Sequence, residues 1–232
     1  MAYEETSVPE DLKARLKTSY DAIAEPYNKW TEEHHEVRMK YLDKFIAQLP
    51  RAEGQEKTRI LELGCGAGDP ATKILAGIPG AEVTGNDLST RQIELARENA
   101  KTWNLGDSTV NFVEGDMADL SVLDFPAGSL DGVVALYSVI HLPREEQSSM
   151  LARIAGWLRP GGVLLANFSS GEMEGVVMEK WLDEKGWMFW SGWGVGTVEK
   201  VEGEGMEVLD KGLEGEGVDV KFLWVVAKKR GG

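Results

Sequence analysis

Between residues 58 and 170, apolar runs of strand length alternate with stretches whose apolar positions recur every three or four residues, the signature of strands alternating with amphipathic helices. Strands are predicted at 59–63, 81–86, 110–114, 131–136 and 163–168. Helices are predicted from Pro70 to Ala76, from the cap Ser89 toward Trp103, and from Pro143 through the apolar face of Met150, Leu151, Ile154 and Leu158. Such alternation implies right-handed crossovers and a doubly wound, mostly parallel sheet. Before it, residues 9–24 carry Leu12, Leu16, Tyr20 and Ile23 at helical spacing, with Pro26 as a stop, and residues 31–49 carry Val37, Tyr41, Leu42, Phe45, Ile46 and Leu49. These two helices predict a cap over the sheet. After it, residues 176–183 read as a helix, residues 194–205 as a glycine-interrupted, loose segment, and residues 206–210 and 218–227 as two alternating strands of an antiparallel hairpin.

The strand at 59–63 ends in Gly64-Cys65-Gly66-Ala67-Gly68, followed by Asp69 and Pro70, which suit an N-cap and a first helical residue. Glycines there let backbone N–H groups approach a ligand at the carboxyl end of the first parallel strand, where open α/β sheets bind nucleotides. Asp87 closes the second strand, and a carboxylate there can accept both hydroxyl hydrogens of a ribose. A dinucleotide site wants a third glycine at position 69 and a helix N-terminus free to receive diphosphate. This chain has Asp69 there and Glu62 two residues before Gly64, so a ribose-bearing ligand with positive charge and no phosphate fits better.

S-adenosylmethionine has those properties, and Leu61-Glu62-Leu63-Gly64-Cys65-Gly66-Ala67-Gly68 resembles the first motif of class I S-adenosylmethionine-dependent methyltransferases. Gly85-Asn86-Asp87-Leu88-Ser89 is similar to the second motif, and Arg159-Pro160-Gly161-Gly162 to the turn before the fifth strand. The resemblance implies a Rossmann-like seven-stranded, mostly parallel sheet with an antiparallel C-terminal hairpin and an N-terminal helical cap. One domain is expected, with the cap at 1–57, the cofactor-binding core at 58–170 and an acceptor-side segment with the hairpin at 171–232. It implies cofactor contacts by Glu62, Gly64, Cys65, Gly66, Gly68, Asp87, Leu88 and Tyr137, with Asp116 accepting the adenine amine and Met117 packing on the ring. It also implies that Tyr20 or Tyr27 of the cap lies near the sulfonium or the carboxylate; the alternative is that both merely pack the cap.

Methyl transfer from a sulfonium is an in-line displacement with a neutral leaving thioether, so the protein must orient the acceptor and, for a hydroxyl acceptor, remove its proton. His141, just past the fourth strand, is the candidate base or orienter, unless it only partners the following helix. His34 and His35 fall on the cap, and His34 is a candidate acceptor contact, although such positions are more often solvated. Residues 186–193 hold three tryptophans and a phenylalanine, from which Trp187, Phe189 and Trp190 are expected to line an acceptor pocket rather than only pack a corner of the core. The stretch Ala135-Leu136-Tyr137-Ser138 lacks the Pro-Pro pattern of the enzymes that methylate nucleic-acid base amines, so the expected acceptor is a small molecule.

Charge narrows the partners further. With 25 basic against 39 acidic residues the net charge is −14, which disfavours nucleic acid and anionic membranes and serves solubility more than recruitment of a cationic substrate. The single cysteine, Cys65, allows no internal disulfide and suits a reducing compartment. The acidic start of the chain carries no apolar run and no metal-ligand cluster is evident, so a cytoplasmic protein without a metal is expected. Two other classes stay open: a non-catalytic module that keeps the nucleotide pocket, suggested by the glycines at 194–205, and a nicotinamide oxidoreductase, disfavoured by Asp69.

Overall fold

The computed structural model describes residues 4–32, 35–50, 57–119, 121–215 and 220–231. A two-residue strand β1 (Glu4–Glu5) precedes the helices α1 (Leu12–Glu32) and α2 (Glu36–Gln48). The core then alternates as β2 (Thr58–Leu63), α3 (Ala71–Ala76), β3 (Ala81–Asp87), α4 (Thr90–Ala100), β4 (Thr109–Glu114), β5 (Leu130–Ala135), α5 (Arg144–Trp157) and β6 (Leu158–Ser169). The last third adds β7 (Glu172–Glu179), β8 (Trp187–Trp193), α6 (Thr197–Gly203), β9 (Met206–Glu214) and β10 (Phe222–Lys229).

The main sheet has seven strands in the order β4-β3-β2-β5-β6-β10-β9. Strands β4, β3, β2, β5 and β6 are mutually parallel, and β10 runs antiparallel to both β6 and β9. The expected sheet and hairpin are therefore present. Because the chain winds outward from β2 through β3 to β4 and then returns to β5 on the other side of β2, the order reverses beside the carboxyl end of β2. That reversal opens a crevice there. Strand β2 is buried at every position but Arg59, as a central parallel strand with helices on both faces must be. One face packs on α5 and α6 through Leu61, Val133, Leu164, Met150 and Ile154. The other packs on α2 and α3 through Ile60, Leu165, Phe45, Leu75 and Trp224, with the Tyr41 and Trp224 rings stacked at 4.8 Å.

Four local expectations are corrected. Helix α1 does not stop near Pro26 but continues through it to Glu32, because burial of Leu12, Leu16, Ile23, Ala24 and Thr31 along one side offsets the missing backbone donor. Residues 176–183 do not form a helix; their first half belongs to β7, where Val176 faces Trp190 and Val177 faces Phe189 across an antiparallel ladder. Vicinal β-branched residues beside an aromatic partner strand favour the pleated form, and three apolar residues in a row carry no periodicity that could have decided it. Residues 194–205 are not loose: a 3-10 turn at Gly194–Gly196 leads into α6, with Val198 and Val201 buried and glycines at its ends. Finally, α3 begins at Ala71 with Pro70 at the cap position, and the Asp69 carboxylate turns to Lys73 at 3.1 Å instead of capping the helix.

Strands β1, β7 and β8 form a second, three-stranded sheet that supports α1. The Ser19 hydroxyl of α1 accepts from the Trp187 backbone N–H at 2.7 Å, inside a buried contact of Leu12, Leu16, Ile23, Met188 and Phe189.

Candidate functional site

The glycine turn after β2 is built as the spacing predicts. Gly64, Gly66 and Gly68 have φ of 72°, 56° and 80°, a region closed to most side chains. At Gly64 the need is also steric, since a Cβ would stand 2.4 Å from Ser138 Cβ. Asp87, at the end of β3, is half-buried and accepts from Gly66 N at 2.8 Å and from Ser89 N at 2.9 Å. Burial outweighs those two donors and lifts its pKa to about 6. Its carboxylate thus occupies a backbone N–H of the turn that a phosphate would otherwise take.

Between this turn, the loop after β5 and the underside of α1 lies a cavity lined by Gly64, Gly66, Asp87, Leu88, Asp116, Met117, Tyr137, Tyr20, Tyr27 and His141. All ten are residues singled out from the sequence. Asp116, past β4, accepts from Ala118 N at 2.9 Å and pairs with Lys13 at 3.3 Å. Tyr137 holds φ of 54°, a cost of about 1–2 kcal/mol for a bulky residue, with its N–H fixed on Asn167 Oδ1 at 2.6 Å.

The remaining candidates face elsewhere. Gly68 turns against Trp103, and Cys65 packs with Ile93, Ala96 and Phe112. Glu62 is buried and accepts from Thr72 Oγ1 at 2.5 Å; burial raises its pKa to about 8. Neither Glu62 nor Asp69 therefore supplies the negative charge at the ligand that the sequence suggests, and that charge falls to Asp87, since Asp116 is paired with Lys13. Trp187 and Phe189 are almost fully buried behind α1 and do not line the cavity. Trp190 is half-buried, its ring 6.2 Å from that of His141, and likewise lies outside the lining. An aromatic run that must be covered by α1 on one side and by the core on the other has little surface left for a ligand. His34 lies outside the described residues, and His35 sits at the cap position of α2.

His141 occupies a 3-10 turn, Val139–His141, after β5. Its Nδ1 lies 2.7 Å from the Phe189 carbonyl oxygen and its Nε2 2.9 Å from the Tyr20 hydroxyl. Burial, together with Lys13, lowers its pKa to about 4, so the ring is neutral near pH 7. Tyr20 is pushed well above its ordinary value, first by burial and then by Tyr27 and Asp87.

Periodicity and motif reading missed Lys13, Leu16, Gln92, Leu136, Ser138 and Leu142, which complete the lining. Gln92 carried a signal, because it stands three residues past the cap Ser89 and so faces the glycine turn; Lys13 carried none. Gln92 Nε2 and Ser138 Oγ are buried with no hydrogen-bond partner among the described residues. Unsatisfied polar atoms on a cradle that a Cβ would fill fit a polar ligand seated on the turn. Asp87 and Asp116 offer acceptors for its hydroxyls and amine, and Met117 offers a face for a ring. Among the described residues no group of three or more His, Cys, Asp or Glu is placed to hold a metal ion, and no helix is long and apolar enough to cross a membrane.

The sheet order and the glycine turn are those of a Rossmann-like methyltransferase fold. Residues 60–162 match the family described as methyltransferase domain. Among curated relatives, the 27-O-demethylrifamycin SV methyltransferase of Amycolatopsis mediterranei is 32% identical over 158 residues, 62% of this chain and 54% of that protein. The Burkholderia thailandensis 1,6-didemethyltoxoflavin-N1-methyltransferase, solved with S-adenosylhomocysteine bound, superposes with a TM-score of 0.70 at 19% identity, covering 98% of this chain and 93% of that one. The [4+2]-cyclase SpnF superposes equally well, with a TM-score of 0.70 at 16% identity over 98% of this chain and 99% of its own. The chain spans about half the length, or less, of the curated relatives it matches.

Proposed function

We propose that the chain is a methyltransferase that moves a methyl group from S-adenosylmethionine to an O, N or S atom of a small molecule by in-line displacement. The observation that carries this reading is the Asp87 carboxylate on Gly66 N at 2.8 Å, which puts negative charge where a dinucleotide would need to seat its diphosphate. A ribose without phosphate suits that position, and Asp116 offers an acceptor for the adenine amine. The cofactor, when bound, supplies an electrophilic methyl and a neutral leaving group. Gly64, Gly66, Asp87, Leu88, Asp116, Met117 and Tyr137 would hold it, with Gln92 and Ser138 as further polar partners. Tyr20, Tyr27 and His141 would face the acceptor. The name of the Amycolatopsis relative, a small-molecule methyltransferase, supports the acceptor class.

The fold is shared with a cyclase, so fold alone does not choose the reaction. The feature that suggested a non-catalytic module, the glycines at 194–205, is an ordered helix. In this reading the chain works as one cytoplasmic domain and binds neither nucleic acid nor membrane, in keeping with its net charge of −14. The test is incubation of the purified protein with S-adenosylmethionine and a panel of small phenols, alcohols, amines and thiols, read by mass spectrometry. A methylated product together with S-adenosylhomocysteine is expected. Failure to bind either form of the cofactor overturns the reading.

A further inference from the structure

We infer that Tyr20 and His141 form a proton relay for a hydroxyl acceptor, with Tyr20 as the residue that touches the acceptor and His141 as the final proton holder. The inference rests on the methyltransferase reading and deepens it by naming the acceptor class. A carbonyl oxygen can only accept, so the 2.7 Å contact with Phe189 fixes the proton of neutral His141 on Nδ1. Nε2 then carries a lone pair, and the Tyr20 hydroxyl at 2.9 Å must donate to it. Tyr20 Oη is left with its own lone pairs for another donor. Both side chains line the cavity that contains the glycine turn and Asp87.

As the acceptor oxygen bonds to the methyl carbon and the methyl–sulfur bond breaks, its proton passes to Tyr20 Oη while the Tyr20 proton passes to His141 Nε2. The electron pair of the acceptor O–H bond stays on the acceptor oxygen. Tyr20 ends as it began, and His141 ends as an imidazolium that donates from Nδ1 to Phe189 and from Nε2 to Tyr20, to be deprotonated by water once product leaves. The positive charge lost at sulfur is the charge gained at His141, so the net charge of the cavity is unchanged across the step. A weakly basic imidazole suffices under that condition. The groups that set the local field are Lys13 and Tyr27 of α1 and Asp87 of β3.

The relay is divided between two parts of the chain. Tyr20 arrives on α1, which α4 holds through Asp21, whose Oδ1 accepts from Ser89 Oγ at 2.6 Å and from Arg91 N at 3.0 Å. His141 arrives on the core, and its tautomer is set by β8 of the second sheet. Docking of α1 therefore completes the relay, with Asp21 as a positioning residue.

The experiment uses the whole protein, S-adenosylmethionine and a series of substituted phenols of graded acidity. Tyr20→Phe is expected to lower kcat by about 10²-fold or more on phenols protonated at the assay pH, and by far less on phenols already ionised. Raising the pH through the acceptor's own pKa should restore the variant, which a merely structural role for the hydroxyl would not do. An unimpaired variant on protonated phenols, or an equal loss on ionised ones, overturns the relay while the methyltransferase reading stands. So does transfer to amines or thiols but to no hydroxyl. No transfer by the wild-type protein to any acceptor overturns that reading and the relay with it. Independently of turnover, long-range ¹H–¹⁵N spectra of the ligand-free protein should show His141 neutral at pH 7 with its proton on Nδ1; a proton on Nε2 contradicts the relay.

Discussion

The crossover from β2 through α3 to β3 and the helix α1, which the second sheet backs, face the same cavity, yet they are held in different ways. In the crossover, function is set by backbone: three glycines at positive φ and a carboxylate fixed by two N–H groups within about two dozen residues of one another. In the cap, function is set by side chains reaching partners far along the chain: the Ser19 hydroxyl to the Trp187 N–H, Tyr20 to the His141 ring, and His141 to the Phe189 carbonyl. A backbone device tolerates almost no change at its own positions and little depends on what lies far away. A side-chain device tolerates local change but fails when any of several distant segments shifts. On the proposed reading, the half assigned to the cofactor and the half assigned to the acceptor should therefore respond to mutation separately.

The largest effect is expected at Gly64. An alanine there meets both a strained positive φ and Ser138 Cβ at 2.4 Å, and should cost about 2–5 kcal/mol of stability in urea denaturation. A variant as stable as wild type would mean that the crossover is not rigid in the sense described.

Next comes a pH effect. Glu62 has a folded pKa of about 8 against an ordinary value of 4.5, so the folded protein holds the extra proton and stability falls as pH rises toward 8. Below about pH 6.5, His141, depressed to about 4, gains stability with rising pH and opposes the loss from Glu62 and Asp87. Between pH 6.5 and 8 Glu62 acts alone among these three, and a loss on the order of 2 kcal/mol is expected. Glu62→Gln should flatten that slope; an unchanged slope places its origin elsewhere.

Ser19→Ala, on the other side of the cavity, leaves the buried Trp187 N–H without an acceptor and should cost about 1.5 kcal/mol. Its signature is a larger effect on acceptor turnover than on affinity for S-adenosylhomocysteine, and equal effects on both would erase the distinction between the halves. The smallest effect is expected at Asp69, whose pair with Lys73 is half-exposed on both sides. Asp69→Ala should change stability by less than about 0.5 kcal/mol by thermal denaturation, and a larger loss would return it to the role of a helix cap.

The same division explains what was legible in the chain itself. The parallel core could be read because each of its devices is local: a strand run, a glycine spacing, Ser89 three residues before the Gln92 N–H it caps. Asp87 followed from standing at a strand end, and Asp116 from the resemblance to the family's pattern. The cap and the last third could not be read as well, because their conformations are decided by partners remote in sequence. Pro26 stops a helix unless burial outweighs it, and Val176-Val177 becomes a strand only when β8 lies alongside. Burial of Trp187 and Phe189 follows from α1 covering them, which no periodicity within 186–193 contains. Lys13 reaches the cavity from the first turn of α1, and its place depends on its ion pairs with Asp116 and Glu146, far along the chain.

The central claim is that the Gly64–Gly68 turn seats a nucleoside carrying positive charge and no phosphate, with Asp87 on its ribose. Isothermal titration of the ligand-free protein at pH 7.5 tests it directly. The account predicts that S-adenosylmethionine and S-adenosylhomocysteine bind, that NAD and ATP give no heat, and that Asp87→Ala weakens cofactor binding by about 1–3 kcal/mol. Binding of NAD or ATP in place of the sulfonium cofactor, or an Asp87→Ala protein that binds as tightly as wild type, would contradict it.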